Sequence, residues 1–208
     1  EQTWLWLAKD LRGDTSVDTG PAFTWIDQRG RFRSAADYPV ASSRISARGK
    51  GELRLKDKGG SGPYTGKLPS SISPTFSLVL RPTIPAPAKN AVSVGIKAKK
   101  AAVVVGAPKL HLSYKGTSKN KKVRVLAQLV DPKTKTVVGN QITPLALTLN
   151  GKRHKNDVAM EEITFSLRKG QRLQVQIVAN SGAYDTFPKG GRVSFSKVKI
   201  GLPVVSSS

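Results

Sequence analysis

His111 and His154 are the two histidines of the chain, and they bound the acid–base chemistry it can perform. A serine hydrolase needs a base within hydrogen-bond reach of its nucleophile, and a third group that orients the base. His111 falls on the polar side of an alternating apolar run, where an ordinary exposed side chain is expected. His154 lies inside Lys152-Arg153-His154-Lys155, which supplies no carboxylate to orient it. There is no Gly-x-Ser-x-Gly elbow, and the absence of cysteine removes thiol nucleophiles, disulfides and Cys-based zinc sites. Acidic residues are sparse, and no run has EF-hand or His-x-x-x-His spacing, so neither metal nor cofactor is expected. These residues alone are not expected to make an enzyme.

What the sequence carries in excess is positive charge, with 35 Lys+Arg against 13 Asp+Glu and a formal net charge of +22. Such an imbalance predicts attraction to polyanions that weakens as salt rises. The candidate residues are Lys99 and Lys100, then Lys115, Lys119, Lys121, Lys122 and Arg124, then Lys152, Arg153 and Lys155. If turns gather them at one end of the fold, they form a patch able to hold an anionic envelope polymer or lipid. No helix-turn-helix or RNA-recognition signature accompanies them, so sequence-specific nucleic-acid reading is not expected. Tyr184 and Asp185, with Phe187 nearby, are candidates for a sugar contact in a loop at the rim of the fold.

The elements that must position these residues follow from periodicity. Trp4, Leu7, Ala8 and Leu11 recur at helical spacing and Gly13 stops the run. A helix so short does not hold alone, so Trp4, Trp6, Leu7 and Leu11 are expected to dock on something larger or to make an assembly contact. Phe23 and Trp25, the turn Gln28-Arg29-Gly30, and Arg31-Phe32-Arg33 read as a hairpin. Residues from about 35 to 74 read mainly as a long loop, with one strand candidate at Glu52–Lys56. The tract Gly59-Gly60-Ser61-Gly62-Pro63 is expected to be its most mobile part.

Beyond it, alternation of period two predicts strand after strand: Phe76, Leu78 and Leu80; Val92, Val94 and Ile96; Leu110, Leu112 and Tyr114; Val123, Val125, Ala127 and Leu129. Ile163, Phe165 and Leu167 form another stripe, as do Leu173, Val175, Ile177 and Ala179. Asp131-Pro132-Lys133-Thr134 predicts a turn, Asn150-Gly151 a hairpin and Arg168-Lys169-Gly170 another turn. The parity change between Val193/Phe195 and Val198/Ile200 predicts a bulge near Ser196 or Lys197. The expected fold class is all-β, a jelly-roll β-sandwich with a short N-terminal helix and long loops.

The 208-residue length suits one main core. The longest apolar runs fall far short of the roughly 20 residues of a transmembrane helix, so the chain is expected to be soluble. It begins at Glu1 with no leader pattern and is expected to be a processed or excised piece.

Two stretches resemble the end of the X-prolyl dipeptidyl peptidase and cocaine-esterase-like hydrolases. Trp4-Leu5-Trp6-Leu7-Ala8-Lys9-Asp10-Leu11-Arg12-Gly13 is similar to the last hydrolase-domain helix of that family. After it, Thr19-Gly20-Pro21, Phe23-Thr24-Trp25-Ile26, Gly30-Arg31-Phe32-Arg33 and Ala36-Asp37-Tyr38-Pro39 follow the order of the passage into its C-terminal β domain. Val105-Gly106-Ala107-Pro108-Lys109-Leu110 resembles that domain's Gly-x-Pro-x-Leu strand. Lys169-Gly170-Gln171-Arg172-Leu173 resembles its Pro-Gly-His-Arg-Leu turn, with Lys169 and Gln171 departing from it. The resemblance implies a terminal hydrolase helix and linker at 1–20 and a galactose-binding-like jelly roll at 21–205. It implies a secreted or envelope location, and a catalytic α/β-hydrolase domain as partner whose Ser-His-Asp triad lies upstream. On this reading the chain is a non-catalytic accessory domain that packs on or caps that partner. The alternative is a free-standing basic β-sandwich of the cell envelope, binding a polyanion or carbohydrate or assembling with itself through Trp4 and Trp6.

Overall fold

A computed structural model describes residues 2–38, 40, 43–68, 70–184 and 190–206. The chain divides into two compact units, Glu1–Val40 and Ala41–Ser208.

In the first unit, helix α1 (Gln2–Arg12) ends where Gly13 takes φ +69°, and the Asp14 N–H donates to the Ala8 carbonyl at 3.1 Å. Strands β1 (Phe23–Ile26) and β2 (Phe32–Ala35) form the expected hairpin, with Trp25 opposite Arg33. Its turn is held by the buried carboxylate of Asp27. That group accepts from the Arg29 and Arg31 N–H groups and, at 2.7 and 2.9 Å, from the Arg31 guanidinium. Phe23 packs on Trp25 and Tyr38. The hairpin falls in the same compact unit as α1.

The second unit is built on β3 (Ser43–Arg54), β4 (Ala91–Lys97), β5 (Ala102–Gly106), β6 (Lys109–Asp131), β7 (Thr136–Ala159), β8 (Ile163–Leu167), β9 (Arg172–Val178) and β10 (Arg192–Ser206), with one helix, α2 (Pro74–Thr83). All pairings between strands are antiparallel, in the order β4-β9-β6-β10-β5-β8, with β3 added on β10 and β7 on β6. The long β6 belongs to two ladders. Lys109–Thr117 pairs with β10 while Leu126–Val130 pairs with β9, and β7 follows β6 along both. The sheet therefore curls over itself as a sandwich, and Leu110, Leu112, Val193, Phe195 and Ile200 of one layer share a core with Val125, Leu145, Val175 and Ile177 of the other. The all-β sandwich expected from alternation is borne out. The parity change in β10 is a bulge between Phe195 and Val198.

The structure corrects four local expectations. Phe76–Leu80 is not a strand but lies in α2, because Ser73 accepts the Phe76 N–H at 3.2 Å and Pro74 begins the first turn. Asn150-Gly151 is no hairpin: β7 runs straight through it, with Gly151 at φ +82° where the β6–β7 register shifts. The expected loop at 35–74 contains the 12-residue strand β3, which extends well beyond Glu52–Lys56. Finally, the Gly59–Pro63 tract is an anchor. Ser61 is 2% exposed, its hydroxyl bonds both the N–H and the carbonyl of Ala86, and its N–H donates to the Asn180 carbonyl at 2.9 Å.

Candidate functional site

In an antiparallel ladder, residues directly opposite each other project to the same side of the sheet. On the inner side of β3, β10, β6 and β7, Leu53, Val193, Leu110 and Leu112 are buried. On the outer side the same register gathers cations. Arg54 lies opposite Arg192, which lies opposite Thr117. Along the next rung run Glu52, Ser194, Lys115 and Arg153, and along the one after it Lys197, Ser113 and Lys155. A further rung sets Arg48 opposite Lys199, His111 and Asp157. All the cations on these rungs are exposed, and among the described residues none is in an ion pair. The carboxylates of the face are Glu52 and Asp157, and Asp157 is already bonded to His111 Nδ1 at 2.9 Å.

The middle of this face sinks into an open trough of about 1100 Å³, lined by Lys115, Arg153, Lys155, Arg192 and Lys197, with Glu52 on the β3 side. Hydroxyls of Ser113, Thr117, Ser194 and Ser196 stand between the charges. His154 also borders it, stacked on Tyr114 with ring centroids 5.7 Å apart and with Nε2 2.8 Å from Asn150 Oδ1. Among the described residues neither histidine is hydrogen-bonded to a hydroxyl. The arrangement suits holding negative charge in register with a strand ladder.

Of the sequence candidates, the structure brings Lys115, Arg153 and Lys155 together in the trough. Lys99 and Lys100 lie in the β4–β5 connection, Lys119 and Lys121 where β6 passes between layers, and Lys122 and Arg124 on its second half; Lys152 is exposed beside Gly151. None of these lines the trough. Arg48, Arg54, Arg192, Lys197 and Lys199 were missed by a reading of contiguous clusters. Their signal is a cation at alternate positions of β3 and β10. Tyr184 borders a separate cleft of about 300 Å³ with Asn140, Gln141 and Glu161, and its hydroxyl donates to the Ile142 carbonyl at 3.2 Å. Asp185 and Phe187 lie outside the described residues.

Large apolar side chains also stand open to solvent. On α1, Trp4 and Leu11 are 72% and 77% exposed, and Trp6 and Leu7 each 38%. On α2, Phe76, Leu78 and Val79 are exposed and no residue of the helix is buried. No described helix is long and apolar enough to cross a membrane.

No family model matches the chain, and no curated protein matches it in sequence. Solved structures do. A CocE/NonD family hydrolase from Staphylococcus aureus superposes with a TM-score of 0.65 at 11% identity, over 98% of this chain and 45% of its own. An aminopeptidase from a marine sediment archaeon, Thaumarchaeota archaeon, matches with a TM-score of 0.65 at 9% identity, over 98% and 43%. An alpha-amino acid ester hydrolase matches with a TM-score of 0.62 at 10% identity, over 97% and 44%. The chain thus spans less than half the length of each, and at these identities the likeness is one of fold. The chain has the fold of the C-terminal part of CocE/NonD-type hydrolases.

Proposed function

We propose that the chain is the non-catalytic accessory domain of a secreted serine hydrolase of the X-prolyl dipeptidyl peptidase or esterase type, packing on or capping an α/β-hydrolase domain that carries the triad. The observation that supports this most directly is α1. Its Trp4, Trp6, Leu7 and Leu11 are left open to solvent on a helix of 11 residues, which is too short to persist in water without a partner surface. The apolar surface of α2 has the same need. A catalytic domain packed on these surfaces would bury them, and the fold shared with slightly under half of each matching hydrolase is in keeping with such a partner. The net charge of +22 would hold the whole enzyme near anionic polymers or lipids of the cell envelope.

The test is to express the complete natural gene product and treat it with a serine-directed fluorophosphonate, then locate the label by peptide mapping. A labelled serine upstream of Glu1, with ester or X-Pro-amide turnover lost on labelling, is the expected result. Labelling within residues 1–208, or turnover by the isolated chain that the reagent abolishes, would overturn the proposal.

A further inference from the structure

Like charges placed directly opposite on neighbouring strands destabilise a sheet. The outer face of the second unit does this repeatedly, at Arg54–Arg192, Arg48–Lys199 and Lys115–Arg153. A surface that only needed to be soluble would alternate the two signs. This face instead concentrates one sign around a concave trough and leaves its cations without ion-pair partners among the described residues. A counter-charge from outside removes the repulsion. We propose that the trough is a binding site for a linear anionic polysaccharide, whose carboxylate or sulfate groups lie along Lys115, Arg153, Lys155, Arg192 and Lys197.

The chemistry of the face selects among polyanions. A protein partner calls for an apolar or aromatic centre to its interface, and none of the residues lining the trough is an exposed large apolar one. The platforms on which single-stranded nucleic acids stack are also missing: of the two aromatic rings at the trough, Tyr114 is 4% exposed, and the half-buried His154 is already stacked on Tyr114 and bonded to Asn150. A lipid surface is met by a convex or flat face with an apolar edge, and this one is concave. What remains is a flexible chain that carries both charge and hydroxyls. Ser113, Thr117 and Ser194 can donate to and accept from those hydroxyls, and Ser196, whose hydroxyl donates to the Ser113 carbonyl at 3.2 Å, can accept from them. Glu52 fits such a chain as well, because a carboxylate among the cations repels an anion but accepts from a sugar hydroxyl.

This inference deepens the envelope-charge part of the proposed function and does not require the catalytic domain. The 208-residue chain is titrated with a heparin-derived octasaccharide, a polygalacturonate oligomer, polyphosphate, an oligo-dT and anionic vesicles, at about 0.15 M salt. Two variants remove equal charge: K115Q/R153Q/K155Q/R192Q in the trough, and K99Q/K100Q/K122Q/R124Q away from it. The expected result is binding of the acidic oligosaccharides in preference to the other probes. The trough variant should lose affinity by on the order of 30-fold or more with a shallower salt dependence, while the charge-matched variant stays within about threefold. Equal losses in both variants would overturn the site while leaving a general attraction to polyanions intact. No binding to any probe would overturn both. Preference for oligo-dT, polyphosphate or vesicles over the oligosaccharides would overturn the ligand assignment. A thermal midpoint of the trough variant at or above that of the parent separates lost binding from lost folding.

Discussion

The curled sheet of the second unit has two outer surfaces that the chain treats in opposite ways. Over the β6–β9 ladder, residues 84–90 lie across the sheet and bury what is beneath them. Leu126, Ile142 and Val178 pack there with Ala88 and Ala91, and Gln128 is 0% exposed. Gln128 Nε2 donates to the Ala86 carbonyl and to Gln176 Oε1, which also accepts the Ala88 N–H at 2.9 Å. Over the β3–β10–β6–β7 face no described segment of the second unit is laid down, and the outward side chains are mainly cations and hydroxyls, with Glu52 and Asp157 among them. The comparison shows that the outside of this sheet is not polar by default. Where the chain supplies its own cover it uses aliphatic and amide side chains, and where it does not, it assembles charge of one sign.

The largest way to break both surfaces at once is through the core they share. Phe195→Ala empties a site that is 1% exposed beneath the basic face, and should cost about 3–5 kcal/mol in urea unfolding. A loss under about 1 kcal/mol would mean that the two layers do not share a packed interior. On the covered surface, Gln128→Ala removes one of two donors to the Ala86 carbonyl and one of two to Gln176 Oε1 and leaves a cavity, and should cost about 2 kcal/mol. It should also speed exchange of the Ala88 amide, which a purely global destabilisation would not do selectively. Next in size is the cap of α2, where Ser73→Ala should cost about 1 kcal/mol. Smallest is the repulsion on the open face. K115Q removes one of two like charges on its rung and should raise stability by a few tenths of a kcal/mol at low salt, the gain fading as salt is added. A loss of stability there would argue that the face is satisfied from within the chain.

The same contrast explains what could be read in the sequence. Strands with a fully buried side announce themselves, as Val92-Val94-Ile96 and Leu173-Val175-Ile177 do, because period two and β-branching agree. Strand β3 hides because its inward side is mostly small. Gly49 and Gly51 sit against Val94 and Val92 of β4, and a Cβ on Gly49 would lie 2.7 Å from Val94 Cγ2. An inner stripe of glycine and alanine reads as loop. Phe76–Leu80 is short enough that strand and helix periods both fit it, and only the Ser73-Pro74 start decides between them. Asn150-Gly151 provides the positive φ that a turn and a bulge need equally. The basic face escaped for a geometric reason: its members are two apart on each strand and joined by pairing across strands, whereas a search along the chain finds runs such as Lys97-Ala98-Lys99-Lys100.

The most direct measurement is a map of backbone amide shifts on adding an acidic oligosaccharide to the 208-residue chain. The account predicts saturable changes confined to Ser113–Thr117, Arg153–Lys155 and Arg192–Lys197, with Ile84–Asn90 and Leu126–Val130 unmoved. Changes centred on the covered surface, or spread evenly over every lysine and arginine of the chain, would contradict it.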